Sequence, residues 1–220
     1  MRLIFTLLLT TLCAVAVVGQ ERPQAFVGAQ ILPIAGPPIP NGVIVVHRGR
    51  IVAVGPSGST QIPAEAERHD VTGKVIMPGL VDSHSHIGGG SGGDGSAPLQ
   101  PDVRLMDSFD ARDSGLKRAR AGGITTVNVM PGSGHLLSGQ TLYIKLRNGT
   151  TIDDLLIRDQ QGVIAGGIKM ANGTNSIRPG GGPFPGTRSK SAALAREMFV
   201  KAQGYRDKVR AAGTDKEKLP

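Results

Sequence analysis

Two histidines one residue apart, His84 and His86, follow the apolar run of GKVIMPGLVDSHSHIGGG, residues 73 to 90. The chain has five histidines in all, so placing two of them here calls for a chemical reason. On a strand, side chains at i and i+2 leave the same face, and both imidazoles can reach one point beyond the strand end. Neutral imidazole is a common ligand for zinc and related divalent ions, and two convergent rings make half of such a site. Taken alone, the pair fits a solvent-facing or supporting role equally well. The other chemistry-bearing residues near strand-like segments are Asp82, Lys169 in GGIKMANG and His135 in PGSGHLLSGQ. His47 reads as a turn residue, because nothing ligand-like surrounds it.

The elements that must carry these residues fall into two patterns. Residues 26–34 are strand-like and precede a proline-rich turn. In GVIVVHRGRIVAVGP, β-branched runs at 43–46 and 51–54 flank a turn at 47–50 containing Gly49, which predicts a hairpin. A third strand-like piece leads into the histidine motif. Beyond residue 75 strands alternate with helices, the signature of a parallel α/β architecture behind a small all-β module. DSFDARDSGLKRARAGG predicts a short helix interrupted by Gly115 and stopped at Gly122 and Gly123. ITTVNV is a buried strand, QTLYIKLRNGTTIDDLLI a hairpin turning at Asn148 and Gly149, and VIAGGIKMANG a further strand. The last helix carries Leu194, Met198, Ala202, Tyr205 and Val209 on one stripe, expected to pack in the core.

Composition narrows the function classes. Hydrophobic residues make up 39% and charged residues 19%, which is globular and not disordered. The net charge of +8 raises the question of nucleic acid, but the basic residues are scattered and only 3% of residues are aromatic, too few for base stacking. Nucleic acid is therefore not an expected partner. Neither glycine-rich piece, IGGGSGGDGS or RPGGGPFPG, carries a phosphate-binding fingerprint. The opening residues MRLIFTLLLTTLCAVAVVGQ have one basic residue, an apolar run and small residues near Gly19, the architecture of a secretory signal peptide. Export to the periplasm or beyond is expected, with no stable membrane span after cleavage. The one cysteine, Cys13, lies within that leader, so disulfides do not hold the mature fold.

VIMPGLVDSHSH resembles the first barrel strand of the amidohydrolase superfamily, where Pro-Gly-Leu followed by Asp-x-His-x-His delivers two metal ligands. The hairpin GVIVVHRGRIVAVG is similar to the β module that precedes that strand, and AGGITTVNVMPGSG to the superfamily's second strand and loop. The likeness extends over residues 25 to 212 and is most specific at 73 to 88. Within the superfamily it is strongest to the imidazolonepropionase-like and Xaa-Pro dipeptidase-like group. The resemblance implies a (β/α)₈ TIM-like barrel with its site at the C-terminal strand ends. It implies His84 and His86 as ligands of one or two divalent ions, most plausibly zinc, with Asp82 orienting the strand or a ligand. Some members bridge two metals with a carboxylated lysine, and Lys169 lies in a segment similar to theirs; a solvent-facing lysine is the alternative. His135 lies just past the second strand on the face of the implied site, as a substrate contact or an ordinary loop residue.

The implied reaction is hydrolysis of an amide, cyclic amide or dipeptide bond in a small-molecule or peptide substrate by metal-activated water. A complete barrel takes about 250 residues, and no histidine follows His135 here. The expectation is therefore a leader at 1–19, a small β-sandwich module at 20–74 and the N-terminal portion of a barrel at 75–220, inactive alone and prone to homo-oligomerise. The competing expectation is a noncatalytic exported binding or scaffold module built on a half-barrel.

Overall fold

The computed structural model describes residues 22–90, 94–180, 182–218 and 220. The expected leader, and part of the first glycine-rich piece, lie outside the described residues. The fold is mixed α/β and divides into two compact units at Pro78 and Gly79.

In the first unit, β1 (Gln24–Ile31), β2 (Ile39–His47), β3 (Arg50–Pro56), β4 (Glu67–Asp70) and β5 (Val75–Ile76) form one five-stranded sheet in the order β3-β2-β1-β4, with β5 also on β1. The predicted hairpin is β2–β3, and its register closes at His47 opposite Arg50. The two turn residues between them, Arg48 and Gly49, both have positive φ (50° and 70°), the twist a two-residue hairpin loop needs. The β-branched run of β2 is buried on both faces. Val43 and Val45 pack with Ala25, whereas Ile44 packs with Ala29 and Ile31. Continuous apolarity in the sequence here marks a strand covered on both sides.

The second unit contains β6 (Leu80–Ser85), α1 (Ser114–Ala121), β7 (Ile124–Val129), β8 (Leu137–Gln140), β9 (Leu142–Lys145), α2 (Ile152–Leu155), β10 (Ile168–Met170) and α3 (Arg188–Ala212). β6 and β7 run parallel, joined through α1, and β9 pairs antiparallel with β7. β8 and β10 form a separate antiparallel pair. The core gathers Val127 and Val129 of β7 with Leu116, Leu142, Ile144 and Leu155. Among the described residues the sheets do not close into a barrel.

Several elements differ from expectation for local reasons. Val75 belongs to β5 in the first unit, and the strand bearing the histidines starts at Leu80 after Pro78 and Gly79. The strand expected from Val163 is the shorter β10, because Gly166 and Gly167 precede it and a Cβ at Gly166 would overlap the Thr141 carbonyl oxygen. Asn148 and Gly149 do not turn a regular hairpin. Thr151 and Asp154 form a capping box that winds α2 there, leaving only a bridge between Ile144 and Leu156. Gly115 does not interrupt α1 but sits in its first turn, behind the Asp113 cap. On α3 the stripe is only partly covered: Leu194, Met198 and Val209 are half-buried, while Ala202 is exposed and Tyr205 is 58% exposed. Periodicity selects a helix face; an element packed against that face is what buries it.

Candidate metal centre

The parallel pairing of β6 with β7 brings the ends of both strands to one place. Asp82 lies opposite Val127 and Ser85 opposite Val129. Past those ends, the Met130 N–H donates to the Ser85 carbonyl (3.0 Å), and His86 Nδ1 lies 2.8 Å from the Met130 carbonyl oxygen. A carbonyl can only accept, so Nδ1 carries the proton and Nε2 of His86 keeps its lone pair free. The Asp82 carboxylate accepts the backbone N–H of His84 (3.0 Å), which fixes the last turn of the strand. The two imidazoles stand edge to face with centroids 5.2 Å apart.

Lys169 arrives from the middle of β10. Its Nζ lies 3.2 Å from His84 Nε2 and 3.5 Å from the sulfur of Met130. The residue is only 9% exposed, and desolvation pulls its amine below the usual lysine pKa. Lys169 and His84, which are 85 positions apart in sequence, therefore share a hydrogen bond. The amine stands against the ring nitrogen that a metal would use.

The glycine run after His86 has a steric cause. A Cβ on Gly90 would sit 2.9 Å from the Met130 carbonyl oxygen that holds His86, and Gly88, at φ 68°, lies against the Phe109 ring. Asp113 pins this turn. One carboxylate oxygen accepts the Gly88 N–H (2.8 Å) and the other caps α1 at Gly115 (2.6 Å). Those backbone donors, Gly115 first, hold its pKa below the ordinary aspartate value. Met130 and Asp113 were not singled out from sequence. Asp113 had a legible signal, an Asp directly before a helix, but its second partner is 25 residues away.

His135 precedes Leu136, whose carbonyl accepts the Ala171 N–H (3.1 Å) just past β10. The histidine is 4% exposed, lies 5.5 Å from the Phe184 ring, and neither ring nitrogen has a hydrogen-bond partner among the described residues. Burial, reinforced by the Arg178 charge and opposed by Asp94, lowers its pKa. Arg178 stacks 3.6 Å over Phe184 and donates to the Gly134 carbonyl (3.2 Å), covering the histidine's loop.

As a donor set, His86 offers an Nε2 lone pair, His84 an imidazole whose Nε2 faces the Lys169 amine, and Lys169 a third position beside His84. No cluster of three His, Cys, Asp or Glu side chains suited to a metal occurs among the described residues. Two imidazoles fit a divalent ion, and a third ligand requires Lys169 to become an oxygen donor.

No protein-family model matches the chain. Among curated proteins it is 34% identical over 136 residues to an imidazolonepropionase of Rhizobium rhizogenes, covering 60% of this chain and 28% of that protein. It is 30% identical over 114 residues to the amidohydrolase tasK of Hapsidospora irregularis, covering 47% of this chain and 12% of that one. The crystal structure of an amidohydrolase from Thermotoga maritima superposes with a TM-score of 0.70 at 30% identity, covering 87% of this chain and 50% of that chain. The chain is related to the amidohydrolase superfamily, over a stretch consistent with its N-terminal part. It spans half or less of the length of each of these relatives.

Proposed function

We propose that this chain forms the first part of a (β/α)₈ barrel in an exported, metal-dependent hydrolase of amide, cyclic amide or dipeptide bonds, with His84, His86 and Lys169 as metal ligands. The observation that carries the reading is Lys169 Nζ within 3.2 Å of His84, beside His86, at the C-terminal end of a parallel strand pair. Similarity to an imidazolonepropionase and an amidohydrolase favours a small-molecule amide as substrate.

A divalent ion, zinc on this reading, would supply a bound water of lowered pKa and polarise the carbonyl it attacks. The chain's own residues prepare that chemistry. His86 is oriented by the Met130 carbonyl, which leaves its Nε2 as the nitrogen that would ligate. Burial favours the neutral amine of Lys169: the ammonium gives up one proton, and the amine then adds to carbon dioxide, forming an N–C bond and releasing a second proton, which leaves a carbamate anion in place of the cation. That change replaces the amine beside His84 Nε2 with an oxygen ligand. His135, an unpartnered polar group beside Arg178 and Phe184, contacts the substrate.

The test has two arms. Protein loaded with zinc in ¹³C-bicarbonate should show a carbamate carbon resonance that Lys169→Ala lacks, and elemental analysis should give stoichiometric metal that the His84→Ala/His86→Ala double variant loses. Undiminished metal in the double variant would overturn the ligand assignment.

A further inference from the structure

Four cations lining one concavity of the second unit form no ion pair among the described residues. This cavity, about 420 Å³, lies between α1 and the connection from β9 to α2. Its floor is apolar, made by the buried Leu116, Leu146 and Leu155. Its walls carry Arg112, Lys117, Arg120 and Arg147. None of these four cations forms an ion pair among the described residues, whereas Arg104, Arg158 and Lys201 on the same unit each have a carboxylate partner.

The nearby carboxylates are already committed. Asp113, the one acid lining the cavity, spends its two oxygens on the Gly88 and Gly115 N–H groups. Asp154 accepts from the Thr150 and Thr151 backbone and from the Thr151 hydroxyl. The two guanidinium groups that are held in place are held by neutral acceptors: Arg120 by the Asn148 side-chain oxygen (2.8 Å) and Arg147 by the Asp154 carbonyl (2.6 Å). Their positions are fixed and neither forms a side-chain ion pair among the described residues, although the Arg147 charge acts on the Asp154 carboxylate; Asp113 and Asp154 leave four cations facing two acids. Like charges converging on one concavity with an apolar wall raise the local potential and attract anions.

We propose that this cavity is a binding site for an organic anion, with an apolar body on the leucine floor and a phosphate, sulfonate or carboxylate head among the four cations. The site is separate from the histidine pair. It adjoins the start of β7, where the Leu146 N–H reaches the Thr125 carbonyl (2.9 Å), while His86 meets Met130 beyond the other end of that strand. The inference therefore does not depend on the metal centre.

Isothermal titration of the full chain with naphthyl phosphate, naphthol and inorganic phosphate tests it at low salt. One equivalent of naphthyl phosphate should bind, weakening as salt rises, with each half-ligand at least about tenfold weaker. Lys117→Glu and, independently, Arg112→Gln should weaken binding about tenfold and about threefold, whereas Arg210→Glu on α3 should leave it unchanged. The His84→Ala/His86→Ala variant should bind as the parent does. Equal losses in Lys117→Glu and Arg210→Glu would reduce the effect to net charge, and loss in the histidine variant would move the ligand to the metal centre. Either result, or no binding to the parent chain, overturns the proposal.

Discussion

The histidine pair and His135 are the same chemical group in opposite circumstances. His84 is exposed and His86 half-buried, and each has a hydrogen-bond partner, a carbonyl for His86 and an amine for His84. His135 is buried, and neither ring nitrogen has a hydrogen-bond partner among the described residues. A partnered imidazole at a strand end costs the fold little and keeps a lone pair available. An orphaned one costs the full desolvation of its polar atoms, about 1–3 kcal/mol, and is kept for what it contacts. The comparison separates residues a fold can spare from residues it must work around.

The largest expected effect is at the pair. His84→Ala/His86→Ala should abolish stoichiometric metal while shifting the urea midpoint little, because strand-end ligands do not pack the core. A collapse of stability in the double variant would erase the distinction from His135. Next is Gly90→Ala, which places a methyl group 2.9 Å from the Met130 carbonyl oxygen and should displace the acceptor that orients His86. Metal affinity should fall about tenfold, the lower end for loss of a group supporting a ligand, as read by competition with a chelating dye. Unchanged affinity would show that His86 does not need its carbonyl.

At His135 the sign is reversed. His135→Leu removes two unsatisfied polar atoms at similar volume and should stabilise the fold by about 1 kcal/mol in urea denaturation while impairing substrate binding. Destabilisation would mean the imidazole has a partner that holds it. The pH dependence follows from the same burial. Burial holds the folded pKa below the ordinary histidine value of 6.5, so the unfolded chain binds the extra proton first. Stability should be complete above pH 6.5 and decline as pH falls below it, and His135→Leu should flatten that slope. The smallest effect is Asp113→Ala, which loses the α1 cap and the Gly88 tether and should cost about 1 kcal/mol, read by thermal melting.

Much of the local structure could be read from residue order. The β2–β3 hairpin, α1 stopped at Gly122 and Gly123, and strand β7 follow from β-branched runs and glycine placement, whose causes lie within a few residues. The pairing of His84 with His86 was legible for the same reason, since alternation along a strand is a local rule. The α3 stripe was legible as a face and misjudged as core, because Tyr205 has no covering element in its own sequence neighbourhood.

What sequence order could not supply is anything joined across distance. That Lys169 reaches His84 depends on β10 pairing with β8 and on β6 lying beside β7, two registers set by packing. That Met130 offers its carbonyl to His86, and that Gly90 must lack a side chain to allow it, follow from the close approach of two strand ends. The sequence by itself determined which residues are able to do chemistry and on which local elements they ride. The tertiary structure decided which of them meet, because burial, tautomer and lone-pair direction are properties of neighbours that only the folded chain brings together.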